Sequence, residues 1–212
     1  MNRRAFLKTS GAFVCGVGAA VAITPTVRAE PAVQEGPNII GPRKGFSPHL
    51  GTLVSMLTWM RRPIISSVEG LTTKQLDYLH DAKANTIGAL LLHLAATERL
   101  YQIHTFEERP WGDWDEETKK RWLVPMNLEQ QARKSIKGND LAYYLDALKT
   151  VREQTLRELQ KRDDTWLMKV DAGFPWGPTN NYCKWFHVCE HESNHNGQIK
   201  WIRSRLPGGE SD

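Results

Sequence analysis

Cysteine is scarce in this chain, with three among 212 residues. Cys183 and Cys189 stand six apart in a stretch of helical character, about 9 Å of rise, which is beyond disulfide reach without unwinding. Both are expected as packed thiols rather than as a bridge or as ligands. After the first thirty positions nothing approaches the roughly eighteen uninterrupted apolar residues of a membrane span. An alternating strand pattern of any length is also missing, as are a serine-nucleophile motif, a phosphate loop, a CxxC pair and a dinucleotide fingerprint. These absences leave an all-α chain with no motif that names a reaction.

An excess of one charge is missing too, once the beginning of the chain is set apart. Residues 1–29 carry the pair Arg3-Arg4 followed by Phe6-Leu7-Lys8, an apolar Gly/Ala-rich run from Gly11 to Ile23 and a closing Val27-Arg28-Ala29. This has the form of a twin-arginine export signal cut before Glu30, with an uncleaved anchor or a lipoprotein processed at Cys15 as alternatives. The expected location is therefore periplasmic or extracellular. Without Arg3, Arg4, Lys8 and Arg28, basic and acidic residues are equal in number, so the basic pI of about 9.0 belongs to the signal. A neutral surface offers no footprint for nucleic acid and no basis for stable attachment to a membrane after cleavage.

Residues 30–45, rich in Pro and Gly, are expected as a tether, 46–206 as one helical domain and 207–212 as a tail. Ser47-Pro48 opens a first helix with a hydroxyl cap and a proline at the first position. Its apolar residues, from Leu50 through Leu57 to Val68, recur at three and four, with a kink near Pro63. Gly70-Leu71-Thr72-Thr73 gives a stop and a short turn through Leu76. A second long helix is expected from Asn85 or Thr86 to about Thr105, a third from the Asn139-Asp140 cap through Leu159, and a fourth from about Asn181 to Arg205. Phe106 to Lys137, holding Pro110, Trp111, Trp114, Trp122 and Pro125, reads as a long ordered connection or lid with one charged turn from Asp115 to Arg121. Lys169 to Gly177 reads as an irregular or extended crossing. The assignment that fits is a four-helix bundle.

The chemistry lies in the histidines. His187, His191 and His195 follow one another at four-residue intervals, so on a helix they form a stripe. His93 lies in the apolar run from Ile87 to Ala96, where a buried imidazole needs a partner. In a bundle His93 can join His191 and His195 on one divalent ion: zinc or nickel foremost, with iron, cobalt or manganese as further candidates. Helical drift puts His187 about 80° from His195, so it is expected beside the ion, or as an alternative ligand. His49, His80 and His104 are expected in solvent. Glu98, about 140° round the helix from His93, is expected to bond a neighbouring helix. Glu190 and Glu192 are expected in solvent or orienting a ligand imidazole, and Trp111, Trp114 and Trp176 are candidates to wall a pocket over the ion.

His93-Leu94-Ala95-Ala96-Thr97-Glu98-Arg99 and the segment from Glu190-His191-Glu192 to His195-Asn196-Gly197-Gln198-Ile199 resemble the two signature blocks of the DinB-like metalloenzymes. The likeness runs from about Pro48 to Leu206. It implies an up-up-down-down bundle with a divalent metal held by His93, His191 and His195. Two departures stand out. Asn196 occupies a place where the family often has Arg, and a related branch puts a ligand at the position of His187 and a carboxylate at that of His191. The family's transferases and isomerases use low-molecular-weight thiols on electrophiles. Export argues instead for a metal-bound water acting on a small molecule, since thiol cofactors are scarce outside the membrane. A bundle that binds a metal or ligand without turnover is the non-enzymatic alternative, and a homodimer stays open.

Overall fold

The computed structural model of the chain describes residues 35–207; the leader, its cleavage point and the end of the tail lie outside them. Eight helices and a two-stranded ribbon follow in the order α1 (Pro48–Val68), α2 (Thr73–Leu76), α3 (Ile87–Thr105), α4 (Glu116–Asn127), α5 (Glu129–Ser135), α6 (Leu141–Leu159), α7 (Asp164–Met168), β1 (Val170–Asp171), β2 (Thr179–Asn180) and α8 (Asn181–Arg203). Four of them are long and make the bundle. Around it α1 packs on α8, α8 on α3, α3 on α6, and α6 back on α1. The successive long helices α1 and α3, and likewise α6 and α8, thus do not form the main pairings. That is the packing of an up-up-down-down bundle with long crossovers.

Caps set the boundaries. The side chains of Thr86, Asp140 and Asn180 accept from Ala89, Tyr143 and Cys183 at the starts of α3, α6 and α8. A reciprocal capping box between Thr72 and Gln75 starts α2. On α1 the inward positions Leu50, Leu53, Val54, Leu57, Ile64 and Val68 are all buried, and the helix continues through Pro63. The packing of α3 on α6 is close at Gly88, where a Cβ would come within 2.6 Å of the Tyr144 ring.

Three expectations need correction here. Ser47 does not cap α1 with its own oxygen. Its hydroxyl donates to Asp164 at the start of α7, and the Asp164 carboxylate accepts from the N–H groups of His49 and Leu50 at 3.1 and 3.0 Å. Residues 35–45 are not a free tether: Gly41 N donates to Ser55 Oγ at 3.1 Å, and Arg62 donates to Pro37 O at 2.7 Å. The connection from Phe106 to Lys137 carries two helices rather than one turn. On α4 only Trp122 and Pro125 are buried, three apart on the face toward α3, and Leu128 and Glu129 at φ 58° and 60° break α4 from α5. The crossing after α7, expected as irregular or extended, is extended at its ends and closes into an antiparallel pair, Val170 opposite Asn180 and Asp171 opposite Thr179.

The remote cap makes a stability prediction. Burial opposes the charge of Asp164, but Ser47, His49 and Leu50 outweigh it and hold the carboxyl below the usual aspartate range. Asp164→Ala is expected to cost about 1 kcal/mol at neutral pH. The folded-state value is depressed, so this contribution is complete above the ordinary aspartate range and fades as pH falls through the folded value. Urea midpoints of both proteins at neutral and acid pH check the size and the convergence.

Candidate metal centre

The α3–α8 contact brings three imidazoles together. His191 Nε2 lies 2.9 Å from His93 Nε2 and 3.1 Å from His195 Nε2. His93 and His195 are 7% and 8% exposed and His191 is half-buried. Each offers one ring nitrogen within 4.8 Å of the others.

The remaining nitrogens show which way the rings are set. His93 Nδ1 lies 2.9 Å from the carbonyl of Pro125, which can only accept, so the proton sits on Nδ1 and Nε2 presents its lone pair. Pro125 stands near the C-terminal end of α4, so the helix unforeseen from sequence supplies this contact. His195 Nδ1 meets Gln198 Oε1 at 3.0 Å, fixing the same tautomer. Thr97 Oγ1 lies 3.3 Å from His191 Nε2, a neighbour the sequence reading did not single out.

Electrostatics keeps the group neutral. Burial first, and then the neighbouring His195, push His93 down to about 4 against the backbone contacts with Pro125 and Met126. Burial and the other three histidines push His191 down to about 3, and burial lowers His195. Neutral imidazole is the ligating form. Metal–nitrogen bonds of about 2.0–2.1 Å at tetrahedral angles need nitrogens about 3.3 Å apart. The two separations from His191 are within a few tenths of an ångström of that and all three donors lie within 4.8 Å of one another, so the donor set fits a divalent transition ion.

His187 is not a member of this cluster. Its ring centroid is 5.2 Å from that of His191, and its Nδ1 lies 2.9 Å from the Tyr101 hydroxyl. Trp176 packs edge-on against it at 5.0 Å, whereas Trp111 packs on Tyr101 and His104, and Trp114 belongs to the core. Of the three tryptophans expected over the ion, Trp176 is the one on the His187 ring. Cys183 is exposed, against expectation, while Cys189 is buried and its thiol is pushed up to about 12 by burial.

The acidic residues near the cluster serve a different purpose. Glu192 is 1% exposed and neither reaches solvent nor orients a ligand histidine. With Glu98 (0%), Arg61 (7%) and Arg152 (8%) it forms a buried quartet with one member from each long helix. Arg61 bridges Glu98 at 2.9 Å and Glu192 at 2.5 Å; Arg152 bridges them at 2.8 and 2.7 Å. Glu98 thus makes the interhelical bond expected of it, twice over. His49 and His80 are exposed as expected, but His104 is enclosed and bonded to Asp171 and Lys184.

An all-helical bundle with three imidazoles converging from two facing helices defines a DinB-like fold with a group able to hold a metal. More narrowly, residues 52–208 match the model of the family described as Mycothiol-S-transferase. The match spans most of the chain and all three histidines, and the chain belongs to that family. A comparison with curated proteins gives no match.

Proposed function

We propose that this protein is a divalent-metal-dependent enzyme that joins a low-molecular-weight thiol, such as mycothiol, to a small electrophile, with His93, His191 and His195 as the metal ligands. The observation that carries the reading is the convergence of three neutral imidazole Nε2 atoms, two of them on rings of fixed tautomer, in a chain of the mycothiol-S-transferase family. A divalent ion held by such a set supplies Lewis acidity, which lowers the pKa of a thiol or a water. The chain's residues hold the geometry: Pro125 and Gln198 fix two rings, and Thr97 stands beside the third. The Tyr101 hydroxyl, kept protonated by burial, and His187 Nδ1 lie 2.9 Å apart beside the cluster.

The expected result with an activated aryl chloride is chloride release that requires metal, protein and a thiol (mycothiol or N-acetylcysteine), with the thioether identified by mass. Metal-dependent turnover without thiol would sink the transferase reading in favour of hydrolysis.

That second reading draws on Arg3-Arg4 and Phe6-Leu7-Lys8, because an exported enzyme meets little cytosolic thiol. We propose export on the same residues. Changing Arg3 and Arg4 together to Lys is expected to trap an uncleaved precursor in the cytoplasm, and N-terminal sequencing of the exported protein is expected to begin at Glu30. Normal export of the double variant would show that another route is used.

A further inference from the structure

A cavity of about 500 Å³ lies between α8, the start of α3 and the connection that precedes α3, and none of the three clustered histidines lines it. Leu90 and Ile202, both members of the buried core, line it together with Ala84 and the Trp201 ring. Trp201 is held in place by the Arg205 guanidinium, 3.9 Å over its ring, and by His80, edge-on at 4.7 Å. Gly197 opens the α8 side of the cavity. It stands inside a long helix, where glycine is less favourable than alanine, and a Cβ there would meet nothing within 4 Å. Gly88 is required by the Tyr144 ring packed against it, but no contact among the described residues requires Gly197. What its missing side chain leaves is room in the cavity.

The polar groups left over on the lining are donors. Three amides line the cavity, those of Asn85, Asn194 and Gln198, and their oxygens are occupied or enclosed. Gln198 Oε1 accepts from His195 Nδ1 at 3.0 Å, Asn194 Oδ1 accepts from Gln198 Nε2 at 3.3 Å, and Asn85 Oδ1 is shut off from solvent. Gln198 therefore keeps one N–H, and the amide nitrogens of Asn85 and Asn194 donate to no group among the described residues. Asp81 is the one charged side chain among the lining residues, and its Oδ1 is taken by the N–H groups of Lys83 and Ala84 at 2.7 and 2.8 Å. With no cation on the lining, an anion would leave water without a charge to offset its own. Apolar walls with a few convergent amide N–H groups match a neutral body that carries an acceptor.

We propose that this cavity is a binding site for a neutral, largely apolar small molecule with a carbonyl-type acceptor, hydrogen-bonded by the amide N–H groups of the lining. Gln198 serves two neighbours, with its oxygen on His195 and its remaining N–H on the cavity. Binding here does not depend on which reaction the metal centre performs.

The test is a nitrogen-15 NMR titration of the full chain with acetophenone as the probe, beside ethylbenzene, which lacks the acceptor, and benzoate, which is charged. Expected are saturable shifts of the Asn85, Asn194 and Gln198 side-chain amide signals with acetophenone. Ethylbenzene is expected to bind about three- to tenfold more weakly, the worth of one or two neutral hydrogen bonds, and benzoate roughly tenfold or more weakly. Gly197→Leu, which fills the open space, is expected to stay folded by far-UV circular dichroism and to lose acetophenone by roughly tenfold or more. Asn194→Ala, at an exposed position, is expected to weaken acetophenone by about threefold and to leave ethylbenzene unchanged. Ethylbenzene or benzoate binding as tightly as acetophenone, undiminished acetophenone binding in folded Gly197→Leu or in Asn194→Ala, or no saturable binding of acetophenone would each overturn the proposal.

Discussion

His195→Ala, or His191→Ala, is expected to weaken divalent-ion binding by more than about a hundredfold, beyond what loss of a residue that only orients a ligand causes. Two imidazoles are a poor match for an ion that takes three or four protein donors, and at neutral pH water and chelators compete for it. The bundle itself is expected to stay folded, since its core does not include the ion: the buried clusters along α3 and α6 and along α1 and α8 are built from aliphatic and aromatic side chains. His187→Ala is expected to change affinity by about tenfold or less, because its ring stands beside the cluster and bonds Tyr101 instead. Competition with a chromophoric chelator, alongside far-UV circular dichroism, measures both. Loss of binding in His187→Ala with retention in His195→Ala would move the ligand set to the pattern of the related branch.

The largest loss of stability is expected at the buried quartet. Arg152→Leu removes both of its ion pairs, to Glu98 and to Glu192, and leaves Arg61 to face two buried carboxylates alone. Glu192 Oε2 already lacks a hydrogen-bond partner among the described residues, so losing Arg152 leaves this carboxylate still less well bonded. Breaking a buried ion pair from one side costs about 3–5 kcal/mol, and urea unfolding of the variant checks the figure. Substituting Glu98 and Arg152 together by apolar residues is expected to cost less than the sum of the single changes, because each single change strands a charge. Burial opposes the charge of Glu98, but Arg152 and Arg61 overcome it and hold the carboxyl below the usual glutamate range. The network's contribution is therefore complete above that range and is lost as pH falls through the folded value. Stability that stays flat into acid would show that the quartet matters less than its burial implies.

Much of this was legible in the chain, for local reasons. Thr86 and Asp140 are cap residues standing directly before helically spaced apolar runs, and the fourth helix was expected from about Asn181, so three of the long helices could be placed within a residue or two. His191 and His195 at one-turn spacing, and His93 within an apolar face, carried the cluster for the same reason: helical geometry fixes which side chains share a side. What escaped depends on long-range pairing. Arg61 and Glu192 are separated by 131 positions, and a charged residue on a helix reads as a solvated face until its partner is known. His104, Asp171 and Lys184 come from three segments, and nothing local to any of them announces the others. On α4 the inward face consists of Trp122 and Pro125 alone, and the proline signals a break even though it sits close to the helix end. Ser47 looked like a self-sufficient cap because Asp164, which caps in its place, lies more than a hundred residues on.

The central claim is that His93, His191 and His195 hold a divalent ion. Elemental analysis of the protein purified from its own compartment, beside a variant with all three changed to Ala, tests it most directly. The account predicts a single zinc, nickel or similar transition ion per native chain and none in the variant. A native chain that stays metal-free after equilibration with zinc and nickel, or a variant with the same metal content, would contradict it.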